Sequence, residues 1–150
     1  MRKIAAVAFM LLAACASSKS NAPVPQPDVN IYQVYGPSDL PYSRGVSSVN
    51  AEWAIQVTNK ADVPITLTHV SLQSVGMGTM SMRREERGFQ AVVPPGATGE
   101  VRLQAQLYFT SDSSGSPSRE PLSLRATMNF DSPKGKFVKI KQQTLGQFPQ

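Results

Sequence analysis

The chain has 150 residues, of which 41% are hydrophobic, 17% charged and 7% aromatic, with a formal net charge of +5. This length suits one domain with at most a short appended segment. One cysteine and one histidine exclude an intrachain disulfide bond and leave too few ligands for a Cys/His zinc site.

The N-terminus has the pattern of an export signal. Arg2 and Lys3 precede an uninterrupted apolar run over residues 4–14. Eleven residues are too few to span a bilayer as a helix, but they suit the apolar region of a secretory signal. The run ends in Leu12-Ala13-Ala14-Cys15, where small residues are followed by the only cysteine of the chain.

Residues 1–15 thus resemble the lipobox signal of bacterial lipoproteins. The resemblance implies that residues 1–14 are removed as a signal peptide, that Cys15 is lipidated, and that acyl chains attach the protein to a membrane. The alternative is an ordinary secretory signal with Cys15 near its cleavage site. Ala16 after the cysteine, rather than Asp, resembles lipoproteins of the outer membrane. We therefore expect an exported protein on that membrane, facing the periplasm, if the organism has one.

Loss of the signal also removes Arg2 and Lys3, which lowers the formal charge from +5 to +3. This mild positive bias does not indicate nucleic-acid binding. We expect no nucleic-acid partner.

Residues 15–30 are predicted to be the lipidated cysteine followed by a flexible tether. Pro23, Pro25 and Pro27 alternate here, and large apolar residues are almost absent. Such a segment has too little apolar surface to fold on its own. The remaining residues, 31–150, form the predicted domain.

That domain is dominated by alternation with a period of two. Apolar residues occupy every second position over residues 49–57, 101–109 and 122–130, and most of the positions between are polar. This pattern is typical of half-buried strands. Trp53 stands in the middle of the first run, so we expect it to be buried between two sheets.

Shorter strands are predicted around residues 31–35, 63–72, 80–82, 89–93 and 137–145, with turns rich in Pro, Gly, Asn and Ser between them. The apolar parity changes between Leu67 and Val70. Either a bulge near Thr68 and His69 re-aims this strand, or the strand passes between sheets. Seven or eight short strands predict an all-β fold, an immunoglobulin-like antiparallel β-sandwich.

Two sequence segments, VTNKADVPITLTHVSL and AVVPPGATGEVRL, resemble parts of late-embryogenesis-abundant type-2 (water-stress) domains and other Ig-like modules of exported proteins. There, a strand ending in Asn is followed by a polar turn and a second strand, and later by a Pro-Gly turn before a long alternating strand. The resemblance covers about residues 49–109 and implies the fold more than a function.

Catalytic patterns are sparse in this chain. His69 is the only histidine, there is no G-x-S-x-G motif and no Gly-rich phosphate loop, and the ten carboxylates show no distinctive spacing. We expect a non-enzymatic protein without a cofactor.

A methionine cluster, Met77, Met80 and Met82, is the one pattern that favours a metal. Thioethers select Cu(I), and His69 stands eight residues upstream of Met77. This predicts, as the alternative function, a periplasmic copper-binding or copper-delivering protein. The competing interpretation is that Met80 and Met82 share one strand face and pack in the sandwich.

Charged residues cluster twice more. The run from Arg83 to Arg87 is interpreted as a solvated hairpin tip, or alternatively as a partner site. Four lysines concentrate in the last hairpin: Lys134, Lys136, Lys139 and Lys141. These lysines could contact lipid phosphates or acidic envelope polymers, or they could protect an edge strand from pairing.

Together these patterns predict a membrane-anchored envelope lipoprotein that acts as a binding or assembly-accessory module, with an envelope protein or polymer as its partner.

Overall fold

A computed structural model describes residues 25–35, 48–76, 80–109 and 122–145. Cys15 and Met77 lie outside these described residues. The described chain forms eight β-strands: β1 (Asp28–Tyr35), β2 (Ser48–Thr58), β3 (Ile65–Ser74), β4 (Met80–Met82), β5 (Glu85–Val93), β6 (Thr98–Phe109), β7 (Leu122–Ser132) and β8 (Gly135–Leu145).

The strands form two four-stranded antiparallel sheets. The order is β1-β2-β6-β4 in the first sheet, here sheet A, and β5-β3-β7-β8 in the second, sheet B. The predicted immunoglobulin-like β-sandwich is confirmed. The three strongly alternating segments became β2, β6 and β7, each of which has a neighbour on both sides, because only an inner strand buries one complete face.

The core lies between the inner faces of the two sheets. Trp53 is fully buried there, as predicted, at the centre of β2 and opposite Leu103 of β6. The other large side chains with less than 2% exposure are aliphatic or aromatic residues of both sheets: Phe130, Ile31, Ile55, Ile65, Leu67, Leu72, Leu107, Leu124, Met128, Val57 and Val70.

The change of parity in β3 is a β-bulge. Leu67 pairs with Phe130 and His69 with Asn129, so Thr68 is an extra residue in the strand. The Thr68 hydroxyl donates to the carbonyl of Asn129 at 3.1 Å. The bulge keeps both Leu67 and Val70 in the core, although they are three residues apart.

The charged run between β4 and β5 is not a hairpin tip. β4 pairs with β6 in sheet A, whereas β5 pairs with β3 in sheet B, so the chain changes sheets at Arg83 and Arg84. The rest of the run begins β5, an edge strand. An edge strand leaves room for charged side chains in solvent, which is why the alternation is weak here.

Asn59 joins two loops at one end of the sandwich. Its side-chain amide donates to the carbonyls of Val63 and Val93, both at 2.9 Å, and its side-chain oxygen accepts from the N–H of Ala61 at 2.9 Å. Its backbone N–H and carbonyl pair with the β5–β6 turn, where Gly96 adopts a φ of +71°. Asn59 is fully buried and all these polar groups are satisfied.

The folded domain begins earlier than the sequence indicates. β1 starts at Asp28, so the last three residues of the predicted tether pair with β2, and Pro27 and Val29 are buried. Val29 is buried because its side chain joins the core of the folded sandwich, a contact that the composition of the segment does not reveal.

Candidate interaction surface

The four lysines of the last hairpin do not form one patch. Lys134 lies in the β7–β8 turn and forms an ion pair with Asp62 at 2.6 Å. Lys136 pairs with Asp131 of β7 at 3.4 Å. Lys139 and Lys141 lie in β8 and form no ion pair within the described residues. The predicted surface therefore reduces to these last two lysines.

Lys139 and Lys141 occupy the inner face of β8. Phe137, two residues before Lys139, stacks on the buried Phe130 with ring centroids 5.1 Å apart. Because side chains alternate along a strand, residues 137, 139, 141 and 143 share this face. All four are half-buried, whereas the residues between them are exposed.

The outer face of β8 is partly apolar. Val138 and Ile140 are 54% and 61% exposed. Their cross-strand neighbours on β7 are Asn129 and Thr127, which are polar and too short to cover them. β8 thus carries charge on its inner face and apolar surface on its outer face, the reverse of the usual arrangement.

Lysines are tolerated on the inner face because the sandwich is open at this side. β8 is the edge of sheet B and β1 is the edge of sheet A. A groove of about 330 Å³ lies where these edges meet. It is lined by Lys139 and Lys141 of β8, by Val29, by Pro27 just before β1, and by residues on the outer face of β1 and β2: Asp28, Asn30, Gln56 and Thr58. The ammonium groups reach solvent through this opening.

The carboxylate nearest to this groove is already paired. Asp28 forms an ion pair with Lys60, and this hydrogen bond lowers the pKa of Asp28, with smaller electrostatic contributions from Lys60, Lys139 and Lys141. The hydrogen bond from Lys134 likewise lowers the pKa of Asp62. Asp28 therefore has its own cation, and Lys139 and Lys141 remain available to an external anion.

Gln143, two residues after Lys141 on the same face of β8, bridges β8 to β1. Its amide N–H donates to the carbonyl of Ile31 at 2.9 Å, and its carbonyl oxygen accepts from the N–H of Ile31 at 3.2 Å. The same amide contacts the side-chain oxygen of Asn30 at 3.3 Å. One side chain of β8 thus binds the free backbone edge of β1 as a neighbouring strand would. Residues 135–142 of β8 make no hydrogen bond to the described part of β1.

The methionine cluster and His69 lie in different places. Met82 is buried in the core and Met80 packs against it, while Met77 falls outside the described residues. His69 is next to the buried Val70 and opposite the exposed Asn129, so it faces outward from sheet B. In addition, β4 contacts β3 at Ser74, whose hydroxyl donates to the carbonyl of Met82 and accepts from its N–H. Ser74 is five residues from His69, which is about 16 Å along β3.

This placement separates His69 from Met80 and Met82. Within the described ranges, no three His, Cys, Asp or Glu side chains are grouped closely enough to hold a metal ion. The geometry of Met80 and Met82 is that of core-packing residues, which was the competing interpretation of the cluster.

A polar network on the outer face of sheet A escaped the sequence analysis. Tyr32 donates to Glu100, Glu100 pairs with Arg102 at 2.9 Å, and Arg102 approaches Glu52 at 3.6 Å. The bond from Tyr32 lowers the pKa of Glu100 and raises that of Tyr32. Ala54 of β2 pairs with Tyr32 of β1 on one side and with Arg102 of β6 on the other, and it is fully buried although it lies on this outer face.

The spacing of Glu100 and Arg102 on one face of β6 was the available signal for this network. Tyr32 joins it only through the neighbouring strand order β1-β2-β6, which the sequence does not supply.

No protein family and no curated protein matches the chain. Among the described residues, none forms a helix long and apolar enough to cross a membrane.

Solved structures share the fold. The structural-genomics target SoR45 superposes with a TM-score of 0.59 and 12% identity, over 85% of this chain and 91% of its own. A Bordetella pertussis protein, described as a candidate ApaA protein, superposes with a TM-score of 0.53 and 15% identity, over 85% of this chain and 100% of its own. At such identities the likeness shows the β-sandwich fold alone.

Proposed function

We propose that the chain is an exported, lipid-anchored protein of the bacterial envelope and that its Ig-like sandwich is a non-enzymatic binding module. The observation that carries this proposal is the position of Cys15. It ends an apolar signal-like run and precedes β1, the first strand among the described residues, by thirteen residues. The resemblance of residues 1–15 to a lipobox supports the anchor.

The geometry of the domain is compatible with attachment through its N-terminus. Twelve residues separate Cys15 from Asp28, and in an extended polyproline conformation they would reach about 37 Å. The start of β1 lies at the end of the sandwich that carries three short connections, between β2 and β3, β5 and β6, and β7 and β8. The opposite end would then face away from the membrane.

The domain supports binding rather than catalysis. Its interior is filled by apolar side chains, and the charged groups of the described residues lie on sheet faces, in turns and at the open edge. A binding module needs only an accessible surface of defined shape and charge. The resemblance of residues 49–109 to late-embryogenesis-abundant type-2 domains belongs to the same proposal and adds no substrate.

The anchor is tested by replacing its attachment atom. Cys15→Ser should leave an unprocessed precursor or release the protein from membranes, because the serine hydroxyl does not form the thioether. The measurement is fractionation together with metabolic labelling by an alkyne fatty acid, with Ser18→Ala as the control three residues downstream. If the Cys15→Ser protein is processed and fractionates with membranes like the parent, the lipoprotein proposal is wrong.

A further inference from the structure

The edge strand β8 has three kinds of unsatisfied surface in one place. Lys139 and Lys141 present ammonium groups without a paired carboxylate among the described residues, and Val138 and Ile140 present exposed apolar surface on the other face. Among the described strands, β8 has a neighbour on one side only. An extended chain lying along β8 would cover all three. Strand addition to an exposed sheet edge is a general mode of peptide recognition.

A second copy of this chain does not fit that position well. If β8 paired with itself in an antiparallel register centred on Ile140, Lys139 of one copy would lie opposite Lys141 of the other, twice. Like charges directly opposite across strands are destabilising. The two lysines therefore oppose this self-pairing.

The chain also lacks the complementary segment. A strand that pairs with Lys139 and Lys141 on one face needs two carboxylates two residues apart. None of the ten Asp and Glu residues of this chain is separated from another by two positions. The 150-residue sequence therefore does not contain a strand with this acidic pattern.

We propose that β8 binds an extended segment of another protein in which Asp or Glu alternates with apolar residues. Residues 139 and 141 are about 6.6 Å apart along the strand, which is also the spacing of alternate side chains in an extended peptide. The acidic side chains would face Lys139 and Lys141, and the apolar residues between them would cover Val138 and Ile140. The bridge from Gln143 to Ile31 limits the accessible part of β8 to residues 136–142.

This inference deepens the binding-module proposal by naming its partner class, and it does not depend on the anchor. Binding can be measured with the full-length protein in mild detergent, whether or not Cys15 carries a lipid. A failure of the Cys15→Ser experiment therefore leaves this test intact, and a failure of this test leaves the anchor intact.

The first experiment measures the fluorescence anisotropy of a labelled nine-residue peptide in which Val alternates with Asp. A peptide with Asn at the Asp positions is the reference. We expect the Asp peptide to bind at least about ten-fold more tightly, and its affinity to fall as salt is raised. Equal affinities for the two peptides would contradict the proposal.

The second experiment reverses the charges. Lys139→Glu with Lys141→Glu should weaken binding of the Asp peptide about ten-fold or more and should favour a peptide in which Val alternates with Lys. The matched control is Arg83→Glu with Arg87→Glu, which changes the net charge equally but lies before and in β5, at the edge of sheet B opposite to β8. If both variants lose the same affinity for the Asp peptide, the effect comes from net charge alone and the proposal is wrong.

The third experiment uses self-association as a readout. Lys139→Glu alone would place Glu opposite Lys141 in the antiparallel pairing with a second copy, so sedimentation should show a dimer. The double reversal would place Glu opposite Glu and should stay monomeric, as should the parent. Two results would contradict the proposal. If the parent already dimerises through β8, a second copy occupies this edge. If anionic lipid vesicles displace the Asp peptide from Lys139 and Lys141, a membrane surface occupies it.

Discussion

β7 and β8 form one hairpin of two eleven-residue strands, yet they differ in how their faces are used. β7 places Leu124, Met128 and Phe130 in the core and polar residues outside. β8 places lysines on its inner face and leaves Val138 and Ile140 exposed. The difference follows from position, since β7 lies between β3 and β8, whereas β7 is the only neighbour of β8 among the described strands.

The comparison teaches that alternation decides which side chains share a face, but the place of a strand in the sheet decides whether that face is buried. Phe137 marks the transition. It is on the same face as the lysines, but it lies opposite Phe130 and reaches the core. Farther along β8 this face lies over the open side of the sandwich.

The largest expected difference between centre and edge concerns apolar side chains. Trp53→Ala removes a fully buried indole from a central strand, and we expect a loss of about 3 to 5 kcal/mol in the free energy of unfolding. Ile140→Ala on the edge should cost less than about 0.5 kcal/mol, because its side chain is mostly exposed. Denaturant unfolding measures both, and similar losses would contradict the burial difference. Blue-shifted emission of the parent Trp53 provides an independent check.

The second comparison is between two bridging amides. Asn59→Ala removes three side-chain hydrogen bonds from a fully buried site and leaves the carbonyl of Val93 without this donor, so we expect a loss of about 2 to 4 kcal/mol. Gln143→Ala removes the half-buried bridge to β1 and should cost about 1 kcal/mol. Urea denaturation ranks the two variants, and Gln143→Ala as the more damaging one would reverse their assigned roles.

The lysines on the inner face of β8 provide the third comparison. Lys139→Gln with Lys141→Gln should change the free energy of unfolding by less than about 0.5 kcal/mol, because these charges form no ion pair in the described structure. The same variant should aggregate more, because it loses the charges that guard an edge strand. Thermal unfolding and light scattering measure the two effects. Unchanged solubility together with a large loss of stability would contradict this interpretation.

The smallest expected effect is the acid dependence of stability. Partners hold the pKa values of Asp28, Asp62 and Glu100 below their ordinary values of 3.8, 3.8 and 4.5. A group whose pKa is lower when folded stabilises the fold above its unfolded pKa, and this contribution is lost as the pH falls through the folded pKa. Stability should therefore fall with acidification below about pH 4.5.

Replacing these three carboxyl groups by amides, as Asp28→Asn, Asp62→Asn and Glu100→Gln, should flatten this acid dependence in denaturant titrations at several pH values. The Lys139→Gln and Lys141→Gln variant should keep nearly the parent slope, because Asp28 retains Lys60. A triple variant with the parent's slope would place the acid dependence in other groups.

The strands themselves were largely predictable. Val49, Trp53 and Val57 share one parity, and polar residues occupy most of the other positions, so period-two alternation located β2 before any tertiary contact was known. The change of parity between Leu67 and Val70 was visible in the sequence, which left a bulge and a passage between sheets as alternatives, and the pairing of β3 with β7 shows the bulge. The start of β1 was missed, since Asp28 and Val29 gain their partners from β2.

The candidate surface was predictable only in composition. The sequence grouped four lysines by proximity along the chain, yet the fold gives Lys134 and Lys136 their own carboxylates and leaves Lys139 and Lys141 at the groove. Asp62 stands 72 residues before Lys134, and no local sequence pattern predicts an ion pair between them.

What the sequence determined by itself is most of the strands, the side chains that share a face of each strand, and the signal-like N-terminus, because alternation, turn residues and an apolar run are local properties. Only the tertiary structure decided that β1 and β8 are neighbouring edges, that Gln143 joins them, and that Lys139 and Lys141 face an open groove. Strand order depends on contacts between residues more than a hundred positions apart, such as Ile31 and Gln143. Which strand becomes an edge is therefore settled by the packing of the whole sandwich.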